Sequence, residues 1–332
     1  MLARRFLTVP GFLFAWLVCV AGTPIWLPVC ALIDLVRRRV VTLRCGAFLT
    51  AYFTCEAIGL AASALLWAWG IVARPDRERW FAVHFRLQDG WGSMVFGAIV
   101  RLFGLRLDVK SEADLARGPY LLLVRHASSA DTLLASALVC RPHGIHLRYV
   151  LKREILWDPC IDVVGNRLPH VFIDRASDDS AREIERVATA ARDLGPRDGL
   201  LIYPEGTRFS LAKQARIRKR LRRGGDAEAI AQAESLQSVL PPRPGGVLGA
   251  LAAAPHVDVV ICSHAGFEGT ASIGQIWRGA LVGRTVRVRF RRVRRADIPE
   301  GREDAFRWLR DEWRQVDAWV SRQSASRTTV RA

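Results

Sequence analysis

Between Phe6 and Val36 the chain carries a single charge, Asp34, and between Gly46 and Ala73 again only one, Glu56. Roughly 20 consecutive apolar residues suffice to cross a bilayer. Both stretches exceed that, and they follow one another almost directly. Arg4 and Arg5 ahead of an apolar run have the outline of a secretory signal. The apolar region is too long for one, since a signal core holds about 7–15 residues, and a second segment comes at once. Residues 1–80 are therefore expected to form an N-terminal membrane-embedded helical hairpin, with limbs at about 6–36 and 46–73. Pro10, Pro24 and Pro28 interrupt the first limb and predict a bent path.

The arginines restrict how such a hairpin sits. Arg37, Arg38, Arg39 and Arg44 lie between the segments, and Arg4, Arg5, Arg74, Arg77 and Arg79 lie outside them. A fully spanning hairpin would put the two groups on opposite faces, which the preference of basic residues for the cytoplasmic side cannot satisfy for both. A hairpin that enters one leaflet and returns keeps every arginine on one side. The chain as a whole bears a net charge of +17, which calls for an anionic partner, either lipid or nucleic acid. The apolar N-terminus favours lipid. A nucleic-acid binder would show interleaved aromatics and a binding module; neither is visible, and no nucleic-acid partner is expected.

Seven cysteines, none in a C-x-x-C pair, indicate neither a zinc site nor a disulfide framework. No metal and no resident cofactor are expected, and a reducing, cytoplasmic setting fits the globular part. No G-x-G-x-x-G pattern supports dinucleotide chemistry.

After a glycine-punctuated amphipathic stretch from Trp91, short apolar runs alternate with helical patterns: "YLLLV", "LRYVL", "HVFI", "GLLIY" and "VDVVICS" against stretches such as "AREIERVATAARDL". That alternation predicts an α/β domain over 81–320, a mixed central sheet flanked by helices. "RTVRVRFRRV" reads as a strand with one wet face. Phe306, Leu309, Trp313, Val316 and Val320 recur at helical spacing, and residues 321–332 are expected to be a disordered tail.

Functional residues in such sheets gather past the strand ends. Three runs here end in reactive side chains: "RHASSAD", "DR" and "PEGTR". His126 precedes Asp131 by five residues. On one helix that is about 500° of rotation, which points the side chains apart. With His126 in a loop and Asp131 in the first turn of the next helix they can meet, and Ser128 with Asp131 resembles a capping box at such a helix start. Alternatively Asp131 merely caps and His126 is an ordinary loop residue. His84 and Asp89 share the spacing but follow no strand, and they are set aside.

Taken together and in order, these blocks resemble the glycerolipid acyltransferase family that includes the 1-acylglycerol-3-phosphate acyltransferases. Its first block, a histidine, four residues and an aspartate, is matched by His126 and Asp131. Its second is matched by "VFIDR", hence Arg175, with Lys152 and Pro159 upstream. Pro204 to Arg208 match the third in full, and "VLPPRPGGV" around Pro241 is the candidate fourth. The "EGTRFS" ending and the basic insert after it look closest to the longer-insert lysophospholipid acyltransferases. The likeness covers roughly residues 80 to 295. The chain departs from the pattern at Arg125, where the family often has asparagine, at Asp162, and in the proline-rich "PPRPGG".

The resemblance implies transfer of a fatty acyl group from a thioester, acyl-CoA or acyl carrier protein, to a lysolipid hydroxyl, with lysophosphatidic acid as the first acceptor to consider. His126 would be the base and Asp131 its orienting carboxylate. Arg175 and Arg208 would grip the acceptor phosphate. Gly206 would offer its N–H to phosphate or oxyanion, and Glu205 would orient Arg208 or a substrate hydroxyl. Thr207 belongs to the same substrate-binding block, and Lys152 and Pro241 are candidates for the donor or acyl-chain site. The basic run Lys213 to Arg223 is expected on anionic headgroups, with a solvated helix face or the donor's phosphates as alternatives. The expected location is a membrane, the bacterial inner membrane, with the catalytic domain on the cytoplasmic side. Two other readings compete: a membrane-anchored binder of anionic lipid or nucleic acid, and a lipid hydrolase using water at the same pair, for which the G-x-S-x-G elbow is absent.

Overall fold

The structure is a computed structural model and describes residues 2–174, 180–270 and 272–328. Its helices are α1 (Leu2–Ala21), α2 (Thr23–Arg37), α3 (Val41–Ala73), α4 (Arg77–Phe103), α5 (Arg141–His143), α6 (Pro159–Gly165), α7 (Ser180–Arg192), α8 (Leu211–Gly224), α9 (Ala227–Ser235), α10 (Pro244–Ala253), α11 (Ile273–Trp277) and α12 (Arg302–Thr328). The strands are β1 (Arg106–Ser111), β2 (Tyr120–Val124), β3 (His146–Lys152), β4 (Val171–Ile173), β5 (Asp198–Ile202), β6 (Asp258–Ala265) and β7 (Thr285–Val293).

Two compact units result, and neither is contiguous in sequence. One holds residues 1–105, 133–175 and 274–284, and the other 106–132, 176–273 and 285–332. The expected split at residue 80 differs from this division, because α4, β3, α6 and β4 belong with the apolar helices.

In the first unit the leading apolar limb is two helices rather than one. The break falls at Gly22, where an added Cβ would come within 2.9 Å of the Val18 carbonyl oxygen. Pro24 occupies the first turn of α2, where its missing N–H costs nothing. Thr23 Oγ1 and Trp26 Nε1 both donate to the Cys19 carbonyl at 2.9 Å, satisfying an acceptor that the end of α1 leaves open. The two lone charges of the apolar stretches also find their reasons here. Asp34 is buried and accepts the N–H groups of Thr42 and Leu43 at 3.0 and 2.8 Å, capping α3. Glu56 accepts the indole N–H of Trp91 on α4 at 3.0 Å.

One stripe of α3 is in contact with the rest of this unit almost from end to end. Arg44 donates to the Leu102 carbonyl, Tyr52 to Asp158 ahead of α6, and the Ser63 carbonyl accepts from Arg167. Glycines let neighbours approach at two further points: a Cβ at Gly59 would lie 2.7 Å from Cys160 Sγ, and one at Gly70 would lie 2.5 Å from the Trp80 ring. On α1 the guanidinium of Arg4 forms a two-pronged pair with Asp162 at 3.0 and 2.8 Å. β3 and β4 pair in parallel in this unit.

The second unit is built on a mixed sheet whose strands run in the order β1-β7-β6-β2-β5. β2 is parallel to both β5 and β6, β1 is parallel to β7, and β6 and β7 are antiparallel. Every residue of β2 is buried, as its uninterrupted apolar run requires of an inner parallel strand. β7 alternates buried and half-buried residues, as its alternating basic and apolar residues demand. α12 buries Leu309, Trp313, Val316 and Val320. It continues to Thr328, so residues 321–328, expected in a disordered tail, are helical. The continuation carries no proline or glycine to stop it.

A histidine–aspartate pair at the strand ends

The central strands β6, β2 and β5 are parallel neighbours, so their carboxyl ends lie side by side. His126 follows β2 by two residues and Glu205 follows β5 by three. The imidazole Nδ1 of His126 lies 2.9 Å from Asp131 Oδ1. The intervening residues form a loop, and Asp131 falls in a first helical turn of 3-10 type, Ala130–Leu133. That is the geometry a five-residue separation needs.

Asp131 also performs the capping that was the plainer alternative. Its Oδ2 accepts the N–H groups of Ala127 and Ser128 at 2.6 and 2.7 Å, the reach-back of a capping box. One carboxylate thus shapes the loop with one oxygen and holds the histidine with the other. Complete burial would by itself raise the Asp131 carboxyl. The histidines His126 and His264 and the hydrogen bonds around it outweigh that and hold it well below the usual carboxylate range. An ionised carboxylate only accepts, so the His126 hydrogen sits on Nδ1 and the neutral ring presents a lone pair at Nε2.

The backbone of His126 is held from both sides. Its N–H donates to Glu205 Oε1 at 2.9 Å, and its carbonyl accepts from Phe209 N–H at 2.7 Å. The ring lies 4.3 Å, centroid to centroid, from that of Tyr203. His126 itself keeps 13% of its side chain exposed, while Asp131 is fully covered.

Glu205 is buried and its second oxygen accepts the Leu240 N–H at 2.8 Å. The expected partnership with Arg208 or a substrate hydroxyl is therefore replaced by two backbone bonds that tie the histidine loop to the segment before Pro241. Burial pushes its carboxyl up to about 7, against the charge of Arg125 and the two backbone N–H groups. Gly206 is likewise corrected. Its N–H donates to the Tyr203 carbonyl at 2.9 Å and closes a turn, so it is not free for phosphate or an oxyanion. The residue is glycine because φ is +67° and because a Cβ would lie 3.0 Å from Arg243 Cδ.

Arg208 donates to Ser129 Oγ, and Lys213 Nζ reaches Thr207 Oγ1 at 2.7 Å and the Arg208 carbonyl at 3.0 Å. Arg243, exposed, donates its N–H to the Pro204 carbonyl at 2.8 Å. Arg208, Lys213 and Arg243 therefore gather positive charge around the third block. Pro241, half-buried, directly follows Leu240. Lys152 lies in the other unit, at the end of β3, paired with Glu154 at 2.6 Å. Arg175 lies outside the described residues. His84 is buried in α4, its Nδ1 against the Trp80 carbonyl at 2.8 Å and its Nε2 against Arg167.

Residues 106–264 match the family model described as Acyltransferase. The stretch contains β1, β2, β5, most of β6 and every block around His126. Over that stretch, just under half of its length, the chain is similar to the Acyltransferase family. Relatives carrying the name 1-acyl-sn-glycerol-3-phosphate acyltransferase include one from Limnanthes alba, 28% identical over 47% of this chain and 52% of the relative. Another, from Limnanthes douglasii, is 27% identical over the same shares. The mouse protein named 1-acyl-sn-glycerol-3-phosphate acyltransferase epsilon is 24% identical over 70% of this chain and 65% of its own length. The chain thus spans about half the length of the plant relatives. The crystal structure titled as the 1-acyl-sn-glycerophosphate (LPA) acyltransferase, PlsC, from Thermotoga maritima aligns over 82% of this chain and 98% of that one, with 15% identity and a TM-score of 0.44.

Arg125, where the family that the chain resembles often has asparagine, is a fully buried strut. It donates to the His264 carbonyl, to Glu268 and to the Ser238 carbonyl, each at 2.7 Å. Tyr203 and Arg243 carried no sequence signal of their own, and Lys213 stood out only as part of a charge run. The roles of Glu205 give a direct expectation. Glu205→Gln turns one of the two N–H groups of His126 and Leu240 against an amide NH2, at a cost of about 1–3 kcal/mol. Because the raised carboxyl binds its proton more tightly in the folded state, its contribution to stability is full below about 4.5 and lost as pH rises toward about 7. Melting curves of the full chain across pH 4.5–7.5 will show that decline in the wild type and a flatter profile in the variant.

Proposed function

We propose that the protein is a membrane-bound O-acyltransferase that moves a fatty acyl group from an acyl thioester to the free hydroxyl of a lysophospholipid, 1-acylglycerol-3-phosphate before others. The observation that carries the reading is the His126–Asp131 pair, with Nδ1 engaged by the carboxylate, the Nε2 lone pair left over, and the histidine partly exposed. In the step proposed, Nε2 takes the hydroxyl proton as the oxygen attacks the thioester carbonyl. Asp131 stabilises the imidazolium, and the proton then leaves with the thiolate of the donor. Arg208, with Lys213 and Arg243 beside it, and Arg175 by its place in the second block, are the cations proposed for the acceptor phosphate. The names of the relatives support the choice of acceptor.

The reading is tested with purified protein in vesicles, offered each of acyl-CoA and acyl carrier protein thioester with each of several lysolipids. Product phosphatidic acid formed only when both substrates are present supports it. Free fatty acid released without an acceptor would instead favour the hydrolase, and no product from any pairing would sink both.

The membrane part is proposed to enter a single leaflet and return. α1 and α3 are each long and apolar enough to span. However, the contacts along α3 run from Arg44 to Gly70, about 39 Å at 1.5 Å per residue, against an α4 that carries Arg86, Gln88 and Asp89 at mid-length. One stripe of α3 is thus held over more than the ~30 Å of a hydrocarbon core by neighbours that carry charge, which favours a path that does not cross lipid alone. The other faces show Phe6, Phe14, Leu17, Ile25, Leu32, Leu65 and Trp67, an apolar surface suited to acyl chains. Cysteines placed at Arg5, Arg39 and Arg74 in turn should all react with an impermeant reagent from the same side; labelling of Arg39→Cys from the opposite side alone would show a full span.

On α8, Arg218 turns toward the Ala233 and Leu236 carbonyls, and the exposed Arg222 pairs with Glu234 of α9. Arg216, Lys219, Arg220 and Arg223 recur at helical spacing on the opposite face and are exposed. That stripe is the surface proposed to face anionic headgroups.

A further inference from the structure

The hydrogen bonds that fix the histidine loop do not end at Asp131. His264, on β6, is completely buried, and its Nε2 lies 2.7 Å from the Arg125 carbonyl and 3.5 Å from Asp131 Oδ2. Both of those oxygens only accept, so Nε2 carries a hydrogen and serves the Arg125 carbonyl as its main partner. Its other ring nitrogen, Nδ1, is buried without a partner among the described residues, and the Phe267 ring stands edge-on to the imidazole at 5.6 Å.

The bond is one half of a reciprocal lock. Arg125 Nη1 donates to the main-chain carbonyl of His264 at 2.7 Å while the His264 ring donates to the main-chain carbonyl of Arg125. The strands are in register beneath it, Val124 opposite Cys262, and the Arg125 N–H continues the ladder to the Cys262 carbonyl at 3.1 Å. The carbonyl held by His264 belongs to the peptide bond that leads directly into His126. A shift there would swing the imidazole away from Asp131. The same ring N–H stands beside the carboxylate oxygen that His126 does not use. A buried imidazole left with one orphan nitrogen is expensive to keep as mere filling, since a phenyl ring or a leucine would fill the volume without that cost.

We infer that His264 is a positioning residue for the acyl transfer proposed above: its Nε2–H fixes the Arg125 carbonyl and flanks Asp131, and so holds the His126–Asp131 pair in its reactive geometry. It touches neither substrate and takes no proton in the step. The inference rests on the proposed transferase reading, and its test separates the two.

The full chain in vesicles is compared as wild type, His264→Phe and His264→Gln. Phenylalanine keeps the ring and removes the donor. The side-chain amide of glutamine can return an N–H near the position of Nε2. The expected result is a kcat lowered about 10- to 100-fold in His264→Phe, with KM for donor and acceptor within about 2-fold of wild type. His264→Gln is expected to recover most of kcat, although its melting temperature is no higher than that of His264→Phe. The inference is overturned if His264→Phe keeps kcat within 2-fold, or if kcat falls in both variants in proportion to the folded fraction measured by melting. A wild type inactive on every donor and acceptor would overturn the transferase reading, and with it this role. An active wild type with an indifferent His264 overturns only the role.

Discussion

His126→Ala is expected to reduce acyl transfer by about 10³-fold or more while leaving the fold in place. A positioned general base contributes about 10²–10⁴-fold, and in the proposed step the same side chain would also align the attacking hydroxyl. The remaining framework does not depend on the imidazole: the His126 N–H and carbonyl keep their bonds to Glu205 and Phe209, and Asp131 keeps the N–H groups of Ala127 and Ser128. A melting temperature close to that of wild type is therefore expected beside the lost rate. His84→Ala makes the matched comparison. It removes a buried ring that bonds the Trp80 carbonyl and Arg167, so it is expected to lower stability and leave kcat of the folded enzyme near wild type. Measuring both variants by initial rate and by thermal melt decides the matter. Equal losses of rate in the two would remove His126 from the base role.

Asp131→Asn should nearly match it. The substitution is isosteric, yet an asparagine oxygen cannot serve the His126 Nδ1–H and the two loop N–H groups at once. If the oxygen faces the loop, the amide NH2 faces Nδ1 and favours the tautomer with hydrogen on Nε2, where the base must be empty. A drop of about 10³-fold in kcat follows, with a smaller effect on KM. The double variant His126→Ala/Asp131→Asn should be little worse than His126→Ala alone, because the pair acts as a unit. Acid stability offers an independent reading. The Asp131 carboxyl is lowered in the folded state, so its contribution is present above the ordinary carboxylate value of about 3.9 and is lost as pH falls below it. Asp131→Asn should flatten that acid limb of the melting curve. A variant with wild-type kcat, or with an unchanged acid limb, would contradict the geometry.

The carboxylate at position 131 shows why local pattern reading carried only part of the way. Capping the loop and holding His126 are opposed as alternatives in the sequence, whereas Asp131 has two oxygens and does both. Spacing established that a loop must intervene, and it does. The third block shows the opposite outcome. The match of Pro204–Arg208 to the third block of the resembled family places Glu205 and Gly206 toward substrate, but a turn at Tyr203–Gly206 aims the carboxylate inward at His126 and Leu240. A run of residues within one turn cannot all face one way, and the direction of each depends on which backbone donors lie nearby after folding.

Much that was decided by chain chemistry alone needed no partner from afar. Apolar length determined α1 and α3, a buried apolar run determined β2, alternation determined β7, and the order of His126, Asp131 and Pro204–Arg208 determined the likeness to the acyltransferases. Only the tertiary structure decided that the first apolar limb breaks at Gly22, that α4 and the region from 133 to 175 pack with the apolar helices, and that Arg125 and His264 cross-lock beside the His126–Asp131 pair. These depend on contacts between residues up to 158 positions apart. Local periodicity carries no record of such distances, because each partner satisfies its own helix or strand equally well with or without the other.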